Sequence, residues 1–185
     1  MSKTGSEVFE TRLGWVGLIN GETGLQCLHL KPKLEDIIPL LDKFDHYNSY
    51  IPSRCDQVKN CIFEYIDGQL DSLEQIQLDL GNTSPFVAAA WSACRTIPVG
   101  ETRTYGWLAA AAGSPLAARA AGQAMARNRF SLVIHCHRVI GSNGKLTGYG
   151  AGGLRVKSKL LEMEQLYIQK RSANIIQSQT HPSCG

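Results

Sequence analysis

Polar residues inside an apolar run constrain this chain more than any other feature. Leu132-Val133-Ile134-His135-Cys136-His137-Arg138-Val139-Ile140 has the flanks of a buried strand, but two imidazoles, a thiol and a guanidinium at its centre. Burying such groups without replacing their bonds to water costs roughly 1–3 kcal/mol each, and more for a charge. The fold must therefore satisfy these groups or use them. A cysteine reacts as its thiolate, and adjacent cations lower the thiol pKa. Neighbouring residues on a strand face opposite ways, so His137 is expected to reach Cys136 only through a bridging water, with a carboxylate orienting the imidazole from behind. The second half of the chain has only Glu101, Glu162 and Glu164 to offer. Taken alone, a Cys-His pair reads more readily as a buried structural thiol beside a satisfied core histidine.

Turn chemistry divides what lies upstream. Residues 11–30 predict two strands around Asn20-Gly21. Leu34, Ile37, Ile38, Leu41 and Phe44 have helical spacing, and Val58, Cys61, Ile62 and Tyr65 mark one face of a helix over 56–67. Ile76, Leu78 and Leu80 alternate like a strand. This first part reads as a small α/β domain over 1–83 with no catalytic cluster. Gly81-Asn82-Thr83-Ser84-Pro85 ends it, with Ser84 as N-cap and Pro85 opening a helix to about Arg95. A second helix is predicted over 104–112. Gly113-Ser114-Pro115 then stops one helix and starts another, which runs to about Arg127. Helix, glycine turn, helix is the helix-turn-helix pattern. Ala117, Ala118, Ala120, Ala121, Gly122, Ala124 and Ala126 leave the last helix nearly bare. Such a helix lacks the long polar side chains of a major-groove reader but could approach a minor groove, with Arg119 its one long polar residue in the first two turns. A tightly packed core helix is the plainer alternative. Residues 154–168 predict an amphipathic helix that can bury Leu160, Leu161, Leu166 and Tyr167, and 170–185 a polar, disordered tail.

Charge follows the same division. Residues 1–83 carry 7 Lys and Arg against 13 Asp and Glu, a net −6, and residues 84–185 carry 12 against 3, a net +9; together they make the chain's +3. A basic half fits a polyanionic partner, although solvated faces give the same count. No run of about 18 apolar residues predicts a membrane span, and Met1 to Glu10 lacks the pattern of a secretory signal. The expectation is a cytoplasmic protein (nuclear in a eukaryote) whose six cysteines are thiols. Cys27 and His29 alone do not make a metal site.

Residues 84–165 resemble the catalytic domain of the O6-alkylguanine-DNA alkyltransferases, or methylated-DNA–protein-cysteine methyltransferases. The match is carried by Phe86, Trp91, Ile97-Pro98-x-Gly100, Thr104-Tyr105-Gly106, Leu108-Ala109, Ala118-Arg119-Ala120-x-Gly122-x-Ala124, Asn128, Cys136-His137-Arg138-Val139-Ile140, Gly144, Gly148-Tyr149, Gly152-Gly153, Lys157, Leu160-Leu161 and Glu164. The first 80 residues resemble the family's variable N-terminal domain only weakly. The resemblance implies an α/β (α+β) N-terminal domain followed by a mostly helical winged helix-turn-helix catalytic domain over 84–169. It implies irreversible, single-turnover transfer of an alkyl group from O6-alkylguanine, with O4-alkylthymine open, to Cys136 after minor-groove binding and base flipping. His137, through a water, and Glu164 would activate the thiol. Tyr105 would help protonate the leaving guanine, and Asn128 would be the hinge before the active-site strand. Arg119 would fill the gap left by the extruded nucleotide, with Ala118, Ala120, Gly122, Arg127 and Arg138 completing the DNA face. Met125, Tyr149, Gly150, Ala151 and Gly152 would wall the base pocket. No cofactor and no metal are implied, and the partner is double-stranded DNA met by a monomer.

Three positions depart from the family pattern. His135 and Arg129 each stand where a proline is usual, and Gly150-Ala151 where some members place a serine near O6. A lost proline frees φ and restores a donor, which bears on rate and alkyl preference. Two other classes compete: a non-catalytic helix-turn-helix binder of damaged DNA that uses Cys136 structurally, and a cysteine hydrolase, which would need an oxyanion hole.

Overall fold

The computed structural model describes residues 4–44 and 52–179. It opens with an antiparallel meander of β1 (Gly5–Thr11), β2 (Gly14–Asn20) and β3 (Leu25–Lys31), in that order across the sheet. The expected hairpin around Asn20-Gly21 is β2–β3, closed by Gly21 N–H donating to Gly24 O at 2.9 Å. The sequence concealed β1, because Glu7 and Glu10 interrupt its alternation and leave only Val8 and Phe9 as apolar signal.

Both faces of the sheet are covered. Val16, Leu18, Leu28 and Leu30 join the main core, where α2 (Pro52–Ile66) contributes Val58, Cys61, Ile62 and Tyr65 as its predicted inner face. On the other face, Ile19 and Cys27 pack with Ile37 and Leu41. Those two side chains come close enough to require Gly17, since a Cβ there would lie 2.4 Å from Ile37 Cγ2. The helix expected over 34–44 is shorter than predicted: a 3-10 turn at Leu34–Asp36, then one turn of α1 (Ile38–Leu41). Pro39 has no N–H to give and is tolerated only in a first turn, and Leu34 is exposed.

The outer edge of β3 is covered at two points. Leu25 N–H donates to Gln77 O at 2.9 Å and Leu25 O accepts Asp79 N–H at 2.8 Å. The strand predicted from Ile76, Leu78 and Leu80 is this single bridge. Leu28 likewise donates to Arg129 O at 2.7 Å and accepts Ser131 N–H at 2.8 Å. Covering an edge removes a template for pairing with other chains. Here it also ties residues 129–131 to the N-terminal sheet, and one buried apolar cluster runs from Phe9 to Leu160.

The helical part follows its punctuation closely, with two differences. α3 (Pro85–Arg95) has its predicted limits, with Pro85 in the first turn, but the Ser84 side chain makes no capping bond. Thr104 does cap α4 (Tyr105–Ala111), accepting Trp107 N–H at 3.2 Å. Gly113, at φ +81°, ends α4, with Ser114 N–H donating back to Ala109 O at 2.9 Å. α5 (Ala118–Ala126) then starts three residues later than predicted, because Pro115 sits in a turn rather than at the first helical position.

Residues 132–138 are wound, not extended. Ile134 N–H donates to Phe130 O and Cys136 N–H to Ile134 O, and Cys136–Arg138 form a 3-10 turn. Leu132 takes a left-handed backbone at φ +70°. Only β5 (Val139–Ile140) is strand, paired in parallel with β4 (Arg103–Thr104). A short buried apolar run carries no periodicity that separates a strand from a coil of turns.

α6 (Gly153–Gln179) extends past the predicted end into the segment expected to be disordered. Leu160 is fully buried, Leu161 and Tyr167 are half-buried and Leu166 is exposed. The last six residues, including Cys184, lie outside the described ones. Among the described residues no helix is long and apolar enough to cross a membrane.

Candidate active site

Cys136 opens the 3-10 turn at the base of a cavity of about 480 Å³. One wall is helical: Tyr105 begins α4, and Gly122, Met125 and Ala126 come from α5. The loop residues Thr147, Gly148, Tyr149 and Gly150 form the other. Gly122 keeps α5 slim where the Tyr105 ring lies alongside, 3.8 Å from where its Cβ would be. The Tyr105 hydroxyl lies 2.9 Å from Thr147 Oγ1 across the cavity. Of the expected pocket residues, Met125, Tyr149 and Gly150 line the cavity, but Ala151 and Gly152 do not. There the chain turns into α6, with Gly152 at φ +93° and Gly153 N–H donating to Tyr149 O at 3.0 Å. Thr147, Gly148 and Ala126 line the cavity without having been expected there; Gly148 belongs to the matching Gly148-Tyr149 pair, while Thr147 and Ala126 carry no motif of their own.

Cys136 is only 8% exposed. Asn128 Nδ2 donates to Sγ at 3.1 Å, and its Oδ1 accepts Phe130 N–H at 2.8 Å, which fixes the amide. Burial pushes the Cys136 thiol above its ordinary 9.0, opposed by the Asn128 hydrogen bond and the Lys157 charge. This corrects the expectation that flanking histidines lower it. Both rings are themselves buried and held below 6.5, His135 strongly so with Arg138 pressing on it, and neither supplies a positive charge at neutral pH.

Behind the sulfur lies a buried knot centred on Glu164. Its Oε1 takes His137 Nε2–H at 2.8 Å, Tyr65 O–H at 3.0 Å and Arg138 NH2 at 2.8 Å, while Oε2 takes Gly100 N–H at 3.1 Å. Arg138 Nε spans both oxygens at 3.0 Å. Burial alone would raise the Glu164 carboxyl, but the hydrogen bonds from His137 and Arg138, with the Arg138 charge and, in acid, that of protonated His137, outweigh it and hold the group well below the carboxylate range. Among the three acids the sequence offered, the structure brings Glu164 to His137; Glu101 instead pairs with Arg103 and Glu162 with Ser158. With Nε2–H on the carboxylate, the lone pair of the neutral ring falls on Nδ1, which is buried and has no protein partner.

Arg138, expected on the DNA face, is 1% exposed and spent on Glu164, on the Ile97 carbonyl and on His135 Nδ1. A guanidinium offers its donors equally to phosphate and to carboxylate, so sequence does not tell a DNA-facing arginine from a buried one. Two participants were missed. Tyr65 reaches the knot from α2, in the part judged free of catalytic residues, and reads as core on its helical face. Fully buried Lys157 donates to Val139 O at 2.6 Å, tying α6 to β5.

The outward face of α5 differs in kind. Arg119, Ala120, Gln123, Ala126 and Arg127 are exposed, while Ala121, Ala124 and Met125 are buried and Ala118 is half-buried. Each residue standing where the family has proline makes its own bonds. Arg129 donates to the carbonyls of Gln26, Asp79 and Leu80 at 2.9, 3.3 and 2.8 Å and lies over the rings of Trp91 and Phe130. His135 precedes the 3-10 turn and accepts Arg138 NH1 at 2.8 Å.

Comparison with known proteins gives a consistent result. Residues 85–166 match the family described as 6-O-methylguanine DNA methyltransferase, DNA binding domain. A methylated-DNA–protein-cysteine methyltransferase of Methanosarcina acetivorans is 38% identical over 158 residues, 85% of this chain and 96% of that protein. One from Mycobacterium bovis is 48% identical over 101 residues, 55% of this chain and 59% of that protein. The crystal structure of Mycobacterium tuberculosis O6-methylguanine methyltransferase superposes with a TM-score of 0.72 at 34% identity, over 89% of this chain and 94% of that one. Mycobacterium tuberculosis OGT in complex with DNA does so with 0.72 at 35%, over 86% and 92%.

Proposed function

This chain belongs to the methylated-DNA–protein-cysteine methyltransferases, and we propose that it repairs O6-alkylguanine in double-stranded DNA by taking the alkyl group irreversibly onto Cys136. The observation that carries the assignment is one sulfur at the base of a base-sized cavity, hydrogen-bonded by Asn128 and backed by a histidine whose free nitrogen has no protein partner. A cavity of this size lies within the range of about 300–1,000 Å³ common for small-ligand sites.

Residues 84–169 act as a winged helix-turn-helix module, with α4 and α5 as the helix pair and a monomer as the working unit. The exposed face of α5 enters the minor groove, where small side chains permit close approach. Arg119 occupies the space of the extruded nucleotide, and Arg127 meets phosphate. Flipping costs a few kcal/mol, less for a base that pairs poorly, which adds selectivity for damage. Within the cavity, His137 Nδ1 takes the Cys136 proton through a bridging water, and Glu164 stabilises the resulting imidazolium. The sulfur forms its bond to the alkyl carbon as the carbon–O6 bond breaks. Tyr105 hands a proton to the departing guanine and is reprotonated from solvent. Asn128 contributes through its N–H on the sulfur, which favours the ionised form against the burial that opposes it. A thioether results, and ordinary thiol chemistry does not reverse it, so each molecule acts once.

Incubation with duplex DNA containing O6-methylguanine is expected to replace the thiol hydrogen by one methyl group on the peptide carrying Cys136, at one equivalent per protein. Cys136→Ala is expected to abolish transfer while still retaining lesion DNA. Repeated turnover, or methylation at another cysteine, would overturn the assignment. A non-catalytic binder would have no use for the Asn128–sulfur bond or the His137 geometry.

A further inference from the structure

We propose that Tyr65 is a positioning residue for alkyl transfer: from the N-terminal part of the chain, its hydroxyl shares Glu164 Oε1 with His137 and thereby sets how strongly that carboxylate holds the imidazole. This rests on the proposed role of His137 as proton acceptor.

The geometry restricts what the hydroxyl can do. Tyr65 lies in the next-to-last position of α2, fully buried, with its oxygen 3.0 Å from Glu164 Oε1 and 3.4 Å from His137 Nε2. Nε2 already gives its hydrogen to the same oxygen at 2.8 Å, so the phenol has the carboxylate as its acceptor. Burial and the neighbouring carboxylate hold Tyr65 well above its ordinary range, so it stays a neutral donor. Facing His137 are Tyr65 from α2, Glu164 and Lys157 from α6, Tyr149 from the cavity loop, and His135 and Arg138 from its own turn. Among these, Tyr65 is the one that comes from outside the alkyltransferase-like segment.

Two consequences follow. A donor on Oε1 spreads the negative charge of Glu164 and weakens its pull on the imidazolium. Removing that donor makes the carboxylate more basic and raises the pKa of His137. The rate depends on neutral His137, so the acid limb of the pH–rate profile should move to higher pH. The contact also makes the seating of α2 a condition of chemistry, which gives the otherwise non-catalytic part of the chain a bearing on rate.

The test is single-turnover methyl transfer by the full chain at saturating O6-methylguanine duplex, from pH 6 to pH 8, for the parent protein, Tyr65→Phe and Ile62→Val. Tyr65→Phe keeps the ring and its packing. It is expected to slow transfer at pH 6 by about ten-fold while leaving it nearly unchanged at pH 8, where His137 is neutral in both proteins, with unchanged lesion binding. Ile62→Val trims the same helix without touching the hydroxyl, and its profile should parallel the parent. A Tyr65→Phe profile parallel to the parent, or one that shifts equally in Ile62→Val, overturns the positioning role. Absence of transfer in the parent itself would instead overturn the function proposed for Cys136.

Discussion

The outer face of α5 and the knot around Glu164 use the same residue types in opposite ways. On α5, Arg119 and Arg127 project into solvent beside small side chains. At Glu164, Arg138 is buried and fully engaged, and the carboxylate has no exposed surface left. In the one place charge is held in reserve for a partner. In the other it is consumed inside the protein, where it fixes the histidine behind the sulfur. The net +9 of the second half therefore overstates the charge available to DNA, because Arg138 and Lys157 are buried.

The largest expected difference lies in stability. Arg138→Ala strips a partner from a buried carboxylate and should cost about 3–5 kcal/mol, read as a lower denaturant midpoint, whereas Arg119→Ala should change it by less than about 0.5 kcal/mol. Similar losses in both would break the contrast. On duplex substrate, Arg119→Ala should slow repair by about ten-fold or more by removing the residue proposed to occupy the space of the extruded nucleotide, with little effect on single strands; equal loss on both substrates would remove that role.

Salt sharpens the same contrast. The slope of log affinity against log salt should fall by about one for Arg127→Ala, proposed to meet phosphate. A conservative change at Arg138 that still folds should leave it unaltered. Acid gives a subtler signature. His135 and His137 are held below 6.5 in the folded chain, so their contribution is complete above that pH and is lost as pH falls, while the unfolded chain takes up protons that the native one refuses. Glu164, depressed from 4.5, adds a second loss that begins only below about that value. His135→Gln, which can still accept from Arg138, should flatten the first decline and leave the second. The smallest effect separates two caps: Thr104→Ala should cost about 1 kcal/mol and Ser84→Ala only a few tenths, by thermal unfolding, because only the first side chain bonds a helix N–H.

What was legible in the sequence follows from where information is local. Helix limits set by Pro85, Gly113 and Thr104 could be read because each residue acts on its own turn. The inner face of α2 could be read from spacing alone. Cys136, His137 and Asn128 were identified by resemblance, and Glu164 emerged from a short choice of acids that the structure reduced to one. The rest was illegible for physical reasons. Tyr65 joins the knot across 99 residues, and nothing in α2 distinguishes its hydroxyl from an ordinary core phenol. Arg138 reads as surface charge because sequence does not report burial. The run at 132–140 reads as strand because an apolar stretch with local turn bonds has the same composition as one with ladder bonds. The flanking histidines lend the thiol no positive charge, since a ring deprived of water gives up its proton before it can help its neighbour, and burial of the sulfur decides the direction instead.

Leu132 shows how narrow the choice of residue can be beside such a centre. A left-handed backbone costs a non-glycine residue roughly 1–2 kcal/mol, and glycine would relieve it. Yet the side chain is entirely enclosed, and glycine would leave a void in its place. Valine or isoleucine would fill most of the void but resist the twist. The bend that aims the sulfur is thus held by its surroundings against its own preference, like a spring kept closed by the lid above it. Loosening the packing around residue 132 should disturb the aim of Cys136 before it unfolds anything else.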